Sequence, residues 1–292
     1  MALEVRSLHP TFAGEVSGVV LREALDADLL EAIRDGMDRY AVLVFRDQTI
    51  GDEEEVAFAQ RLDGEIHAAT GQAAIDRTTG KRRLPNKLVT DISNLDEKSE
   101  IMESADRRRM YALANRLWHT DASFENPAGR YSMLSAKSVP PSGGETEYAD
   151  ERFAYETLSD EVKAEIDGLR AHHSIVYSRN SIGFTAFTAE EEASLKGADH
   201  PLVRTIPRSG RKSLYLASHA SHIVGWPVPE GRLLLRDLME HATQPQFVYR
   251  HSWRVGDFVI WDNRCTMHRG RPFDERFKRD LRRVTTLDAA GR

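Results

Sequence analysis

With 292 residues, 40% of them apolar and 29% charged, the chain has the make-up of a soluble globular protein long enough for a substantial core. A formal net charge of -6 argues against nucleic acid as the main partner, because phosphate binding shows as a basic excess. One cysteine, Cys265, excludes an intramolecular disulfide; no apolar run reaches the length of a membrane span and the first residues lack a secretory segment, so a cytoplasmic setting is expected.

In chain order, residues 12–21 read as strand and turn, with Gly14 and Gly18 as breakers. Asp26 caps a predicted helix to about Arg39, with Leu29, Leu30, Ile33 and Met37 at helical spacing. Residues 40–45 form an apolar, β-rich run expected as a buried strand. A second helix opens at Gly51-Asp52-Glu53-Glu54-Glu55, its acids suited to the positive N-terminal end. Val56, Phe58, Ala59 and Leu62 form its apolar side. Residues 64–114 are the least regular stretch, with one strand candidate at 88–92. A loop of this length is functional or mobile. Its place just before the candidate ligands suits an active-site lid, and a disordered insertion fits its composition as well.

From residue 131 onward, short strands alternate with Pro/Gly turns. Strands are expected at 131–139 and 145–149, helices at 151–158 and 160–169, then strands at 173–177, 202–206 and 213–217. A helix over 229–243 has proline near its start and Leu233, Leu234, Leu238 and Met239 at helical spacing. Strands at 247–253, 258–261 and 281–287 complete the chain. This pattern indicates a sandwich or barrel rather than a parallel βαβ sheet. The expectation is one domain over residues 1–292, mainly β with flanking helices: a cupin-like jelly roll, or double-stranded β-helix.

The stretch Trp118-His119-Thr120-Asp121 carries the chemistry. On an extended strand, residues i and i+2 share a face, so His119 and Asp121 can grip one metal while Thr120 points away. A third ligand from another strand would complete a two-histidine, one-carboxylate iron site. His268, in the run Trp261-Asp262-Asn263-Arg264-Cys265-Thr266-Met267-His268-Arg269-Gly270, is the candidate. Alone, His-x-Asp is a weak signal: His119 also reads as a core histidine and Asp121 as a turn residue.

The stretch from residue 264 to the end is rich in arginine, which suggests a local anion site. A ferrous site with three protein ligands has open positions for dioxygen and a chelating cosubstrate such as 2-oxoglutarate. The far carboxylate of that cosubstrate needs an arginine clamp. Arg279 and Arg283 share a face if extended, with Arg282 turned away. On the arginines alone, a solvated basic strand or an RNA-contacting patch is the better reading. His219 and His222 are candidates for a substrate pocket, as is His173 beside His172; each alone reads more readily as a hydrogen-bonded structural residue. Cys265 reads as a small buried hydrophobe.

Taken together, these residues resemble the taurine / 2,4-dichlorophenoxyacetate dioxygenase family, Fe(II)- and 2-oxoglutarate-dependent enzymes on a double-stranded β-helix. The carriers are the Trp118 run, the turn Pro140-Pro141-Ser142-Gly143-Gly144-Glu145-Thr146, the run from Trp261 to Gly270, and the tail from Arg279 to Asp288. By position, the resemblance implies His119, Asp121 and His268 as iron ligands, with Thr146 and Arg279 holding 2-oxoglutarate. It implies Arg283 as the arginine that engages the substrate's acidic group and can also touch the cosubstrate. Asn115 matches a substrate-side position, and His173 and His219 are carried as substrate candidates.

The runs Arg130-Tyr131-Ser132-Met133-Leu134-Ser135-Ala136, His219-Ala220-Ser221-His222, Glu240-His241-Ala242-Thr243 and Val248-Tyr249-Arg250-His251 are similar to the 2,4-dichlorophenoxyacetate branch. Arg61-Leu62-Asp63-Gly64 departs from the Phe-Gly turn usual there, which leaves the preferred aryloxy acid open. The implied reaction uses Fe(II), 2-oxoglutarate and O2 to hydroxylate the ether-side carbon of an aryloxyalkanoate. A phenol, an α-keto acid (glyoxylate from acetates), succinate and CO2 result. The partner is thus a small aromatic carboxylic acid, and a closed homo-oligomer is expected. The same chemistry on an alkylsulfonate such as taurine, a sulfate ester or a natural aromatic acid is the alternative. A non-catalytic metal-binding sensor of small acids is the alternative of a different class.

Overall fold

Which way the central strands send their side chains decides the architecture. In this computed structural model, residues 3–67, 80 and 82–289 are described. The strands are β1 (Glu4–Ser7), β2 (Gly14–Ser17), β3 (Val42–Phe45), β4 (Thr90–Ser93), β5 (Gly129–Ser138), β6 (Thr146–Asp150), β7 (Arg170–His173) and β8 (Ala198–Pro201). There follow β9 (Val203–Thr205), β10 (Lys212–Leu214), β11 (Ala220–Ile223), β12 (Val248–His251), β13 (Phe258–Asp262), β14 (Thr266–Gly270) and β15 (Asp280–Leu287). A seven-stranded sheet runs β1-β2-β3-β13-β5-β15-β4, and a three-stranded sheet runs β12-β6-β14.

Val42 and Val44 of β3, Val259 and Trp261 of β13, Leu134 of β5 and Leu281 of β15 pack with Tyr148 of β6 in one core between these sheets. Leu43, Phe45, Phe258 and Ile260 face the other way. They pack on Ile33 and Met37 of helix Ala27–Tyr40 and on Phe58 and Leu62 of helix Asp52–Asp63. Strands covered on both faces read as unbroken apolar runs, as β3 and β13 do. Each of these fully buried large side chains contributes about 1.5–3 kcal/mol of transfer free energy. Beyond the small sheet, Ala149 and Met267 pack with Leu235 and Leu238 of helix Val228–Ala242. The result is a mainly β jelly roll with helices outside it. Among the described residues, no helix is long and apolar enough to cross a membrane.

The expected helix starts are in place. Asp26 accepts from the Leu29 N–H at 2.8 Å, and the Gly51 N–H donates to Glu54 at 2.7 Å. Gly14, read as a breaker, instead lies inside β2 opposite Ser7, where a Cβ would come within 2.4 Å of Val5. Gly18, with φ +75°, follows that strand. The strand expected at 173–177 is corrected: β7 ends at His173, the Ser174 side chain caps the next turn, and Ile175–Asn180 is helical. The β-branched Ile175 and Val176 suggested a strand, but the cap prevails. Strands β1, β8 and β11 and helices Arg107–Ala112 and Ala189–Ser194 were not expected, all of them short, whereas β14 is the separate strand expected to bring His268.

Within residues 64–114, the expected strand forms as β4, on the edge of the large sheet beside β15. Arg83 pairs with Asp91 at 2.7 Å and with Asp280 at 2.8 Å, tying this stretch to the start of β15. The part of the expected lid at residues 68–79 and 81 lies outside the described residues.

Candidate active site

His119 follows the short 3-10 turn Leu113–Arg116 and belongs to no strand, contrary to the extended-strand expectation. It is held by one antiparallel bridge: His119 N–H donates to His268 at 2.9 Å, and His268 N–H returns a bond to His119 at 2.8 Å. His268 itself lies on β14. Thr120 points away, as expected, and its hydroxyl donates to the Leu216 carbonyl at 2.8 Å. Asp121 opens a turn, and its N–H donates to the Asn263 side chain at 3.1 Å.

The side chains converge. His119 Nε2 lies 3.9 Å from one Asp121 carboxylate oxygen, and His268 Nε2 lies 3.7 Å from the other. One donor atom from each of the three residues falls within 4.8 Å of the other two, near enough to share an ion. His119 Nδ1 sits 2.8 Å from the Leu117 carbonyl, so it carries the ring proton and leaves the Nε2 lone pair free. Burial lowers the His119 pKa to about 4, so the ring is neutral at ordinary pH. Burial and His119 push His268 well below its usual value. Burial opposes ionisation of Asp121, but Arg283 and the two imidazoles outweigh it and hold the pKa at about 2. Two neutral nitrogens and one ionised oxygen are the donor set for non-haem Fe(II), and these residues fit it.

A layer behind Asp121 aims it. Ser132 of β5 donates to one carboxylate oxygen at 2.7 Å, and Arg283 of β15 donates to the other. Asn263 is the hub: besides the Asp121 N–H, it accepts from the Trp261 indole at 3.1 Å and donates to Ser132 at 2.9 Å. This explains chemically why Trp261 and Asn263 share a run with His268.

The cavity beside the three residues is lined by Thr146, Arg279, Arg283, Asn115 and His219, among others. Arg279 donates to the Gly144 carbonyl at 3.2 Å and has no ion pair among the described residues. Burial pulls its pKa down to about 10, the mark of a cation lacking its anion. Gly144 has φ +72°, and a Cβ there would lie 3.2 Å from Arg279 Nε, so glycine makes room for the guanidinium. The Thr146 hydroxyl accepts from the Trp253 indole at 2.9 Å, which leaves its own proton to donate. Arg282 points away, 3.0 Å from Asp280, as expected.

The other candidates separate. His219 lines the cavity, its ring centroid 6.0 Å from that of His119. His173 is fully buried and does not line the cavity; its Nδ1 lies 3.0 Å from the Ser123 hydroxyl, which contacts His219 Nδ1 at the same distance. His222 is held by Ser221 and His172 by Asp199, both away from the cavity. Two features escaped sequence reasoning. Ser132 and Asn263 hold Asp121 from other strands. Arg179 lines the cavity as a buried guanidinium.

Residues 4–285 match the family described as taurine catabolism dioxygenase TauD, TfdA family. The chain belongs to this TauD/TfdA dioxygenase family. It is similar to the alpha-ketoglutarate-dependent 2,4-dichlorophenoxyacetate dioxygenase of Burkholderia sp. (strain RASC), with 44% identity over 98% of this chain and 95% of the relative. Identity to the protein of that name from Cupriavidus pinatubonensis is also 44%, over 99% of each chain. Among solved structures, AAD-2 in complex with Mn(II) and N-oxalylglycine superposes with a TM-score of 0.95 at 46% identity, over 99% of both chains. As a TauD/TfdA member, the chain keeps its unusual residues 61–64 within a match that spans nearly its whole length.

Proposed function

We propose that the protein is an Fe(II)- and 2-oxoglutarate-dependent dioxygenase that hydroxylates the ether-side carbon of an aryloxyalkanoate such as 2,4-dichlorophenoxyacetate. The observation that carries this reading is one cavity holding both the His119, Asp121 and His268 donor set and the half-buried guanidinium of Arg279, which has no ion pair among the described residues. The relatives named above support the substrate class.

His119, Asp121 and His268 would hold the iron. With 2-oxoglutarate and dioxygen bound, iron supplies the oxidant for C–H hydroxylation, and 2-oxoglutarate leaves as succinate and CO2. Arg279 clamps the far carboxylate of 2-oxoglutarate through its fork of N–H donors, and Thr146 adds a hydroxyl. Arg283 and Ser132 keep Asp121 ionised and fixed, as supporting groups do at metal sites. Phe124 and Ile175 offer the apolar wall an aromatic ring needs. Hydroxylation gives a hemiacetal that collapses to a phenol and an α-keto acid. The described residues 82–114 cover the site, supported by the places of Thr90, Asn94, Met102 and Tyr111 in the cavity wall. A cytoplasmic homo-oligomer with no nucleic-acid or membrane partner completes the reading.

The test is purified protein with Fe(II), ascorbate, 2-oxoglutarate and air, offered 2,4-dichlorophenoxyacetate and taurine in parallel. Dichlorophenol matched by succinate from the first substrate alone is expected. Sulfite from taurine would move the activity to sulfonates. Succinate stimulated by neither would remove the substrate assignment.

A further inference from the structure

We propose that Asn94 is the residue that positions the Arg279 clamp, and that through Glu275 it ties 2-oxoglutarate binding to the cavity wall at residues 107–116. This rests on the reading above and deepens it at the cosubstrate end. Strands β4 and β15 pair from Thr90 and Arg283 to Ser93 and Asp280, and the ladder stops one residue short of Arg279. Asn94 continues it with a side chain in place of a strand. Its N–H donates to the Arg279 carbonyl at 3.2 Å, and its Oδ1 accepts the Arg279 N–H at 2.9 Å. Both backbone groups of Arg279 are therefore held by one residue, at a strand end that would otherwise fray and let the guanidinium swing.

A short amide side chain suits this place for a chemical reason. Asn94 Nδ2 donates to the Glu275 carbonyl at 3.3 Å and to the Phe277 carbonyl at 3.0 Å, and the Asn94 carbonyl accepts from the Met102 N–H at 2.9 Å. The amide supplies one acceptor and two donors, and all are used. Aspartate has the same shape but no donor, and its charge would face two carbonyl oxygens. Asn94 is 8% exposed, so water cannot readily replace these bonds if the side chain is removed.

The loop that Asn94 holds also grips the opposite wall. Glu275 lies between β14 and β15, and its carboxylate accepts from Arg109 Nε at 2.6 Å and from Arg116 Nη2 at 2.7 Å. Arg109 belongs to helix Arg107–Ala112, and Arg116 ends the 3-10 turn that leads to His119. Asn94, Arg109, Arg116 and Glu275 all line the cavity together with Arg279. An isolated exposed ion pair contributes little, but here one carboxylate joins two arginines, and its own backbone is fixed by Asn94. An anion on Arg279 restrains that residue, and segments bonded to a restrained residue lose less entropy in staying closed. By linkage, whatever 2-oxoglutarate does to the wall, the wall does to 2-oxoglutarate affinity.

Hydrogen exchange of the anaerobic, Fe(II)-loaded wild-type protein tests this without any variant. Adding 2-oxoglutarate should slow amide exchange across residues 94–116 several-fold. Glu275→Gln keeps the backbone bonds to Asn94 but weakens both ion pairs, and should lose that protection at residues 107–116. Asn94→Ala should raise the KM for 2-oxoglutarate roughly tenfold, about the worth of one or two neutral hydrogen bonds, while kcat at saturating 2-oxoglutarate stays within about twofold. A merely structural residue would instead lower kcat and the melting temperature and leave that KM in place. Exchange across 94–116 that bound 2-oxoglutarate does not change, or an Asn94→Ala enzyme that keeps its KM for 2-oxoglutarate, overturns the assignment. Should the variant not fold, the wild-type exchange decides alone. Binding of 2-oxoglutarate by the wild type with either contrary result leaves the proposed function standing; a wild type that does not bind 2-oxoglutarate removes both.

Discussion

Arg283 donates to the Asp121 carboxylate oxygen that also lies nearer His119 Nε2. The arginine thus secures a candidate metal ligand, and the other carboxylate oxygen is held by Ser132 at 2.7 Å. Asp121 is the only ionised group of the three donors, so the metal site's charge balance depends on it. Replacing Asp121 with alanine should cut Fe(II) affinity and turnover by more than about a thousandfold, since loss of a mere supporting group costs 10–100-fold. Fe(II) titration of the anaerobic protein checks the affinity; retained tight binding removes Asp121 from the ligand set.

Ser132→Ala should show the smaller effect. It takes one donor from Asp121 and one acceptor from Asn263 while leaving all three donor groups in place. Fe(II) affinity should fall roughly 10–100-fold, with the fold intact by circular dichroism.

How much of this was legible follows from where each residue gets its constraint. The His-x-Asp spacing and the distant His268 were readable because the donor types themselves carry the chemistry. A shared strand face is not what operates: the His268 bridge pins His119, and the Asn263 side chain pins Asp121 at the start of a turn. The long apolar runs at β3 and β13 were readable because two-sided burial leaves no polar positions. The bounds of β14 were not, since its side chains alternate between Met267 in one core and His268 in the site. Arg179 was illegible for a physical reason. Its buried place in the cavity wall depends on Tyr111, Asn115 and His219 arriving from separate segments.

Gly144→Ala tests the 2-oxoglutarate end. The φ of +72° strains alanine by about 1 kcal/mol, and the new methyl meets Arg279 Nε at 3.2 Å. Stability should drop by about that amount, and the KM for 2-oxoglutarate should rise about tenfold as the clamp shifts. Thermal melts and cosubstrate titration read the two effects separately.

The metal-free protein should lose stability in mild acid. His119 has a folded pKa of about 4 against its usual 6.5, and burial also depresses His268, His219 and His173. The unfolded chain therefore binds more protons below the usual value, and the sign of the linkage makes stability fall as pH falls. The full contribution is present above pH 6.5 and is lost progressively toward pH 4. Each such histidine contributes up to about 1.4 kcal/mol per pH unit in that window. The depressed Asp121 adds a contribution lost only as pH drops from 3.8 through about 2. A melting temperature that stays flat from pH 8 to about 5 would contradict this linkage.

The most direct measurement follows the oxygen atoms. Turnover of 2,4-dichlorophenoxyacetate under isotopically heavy dioxygen should place one heavy atom in succinate and none in the dichlorophenol, because hydroxylation falls on the ether-side carbon and the phenol keeps the ether oxygen. Succinate and phenol should appear in equal amounts. Heavy oxygen in the phenol, or phenol released without succinate, would contradict the reaction assigned to this site.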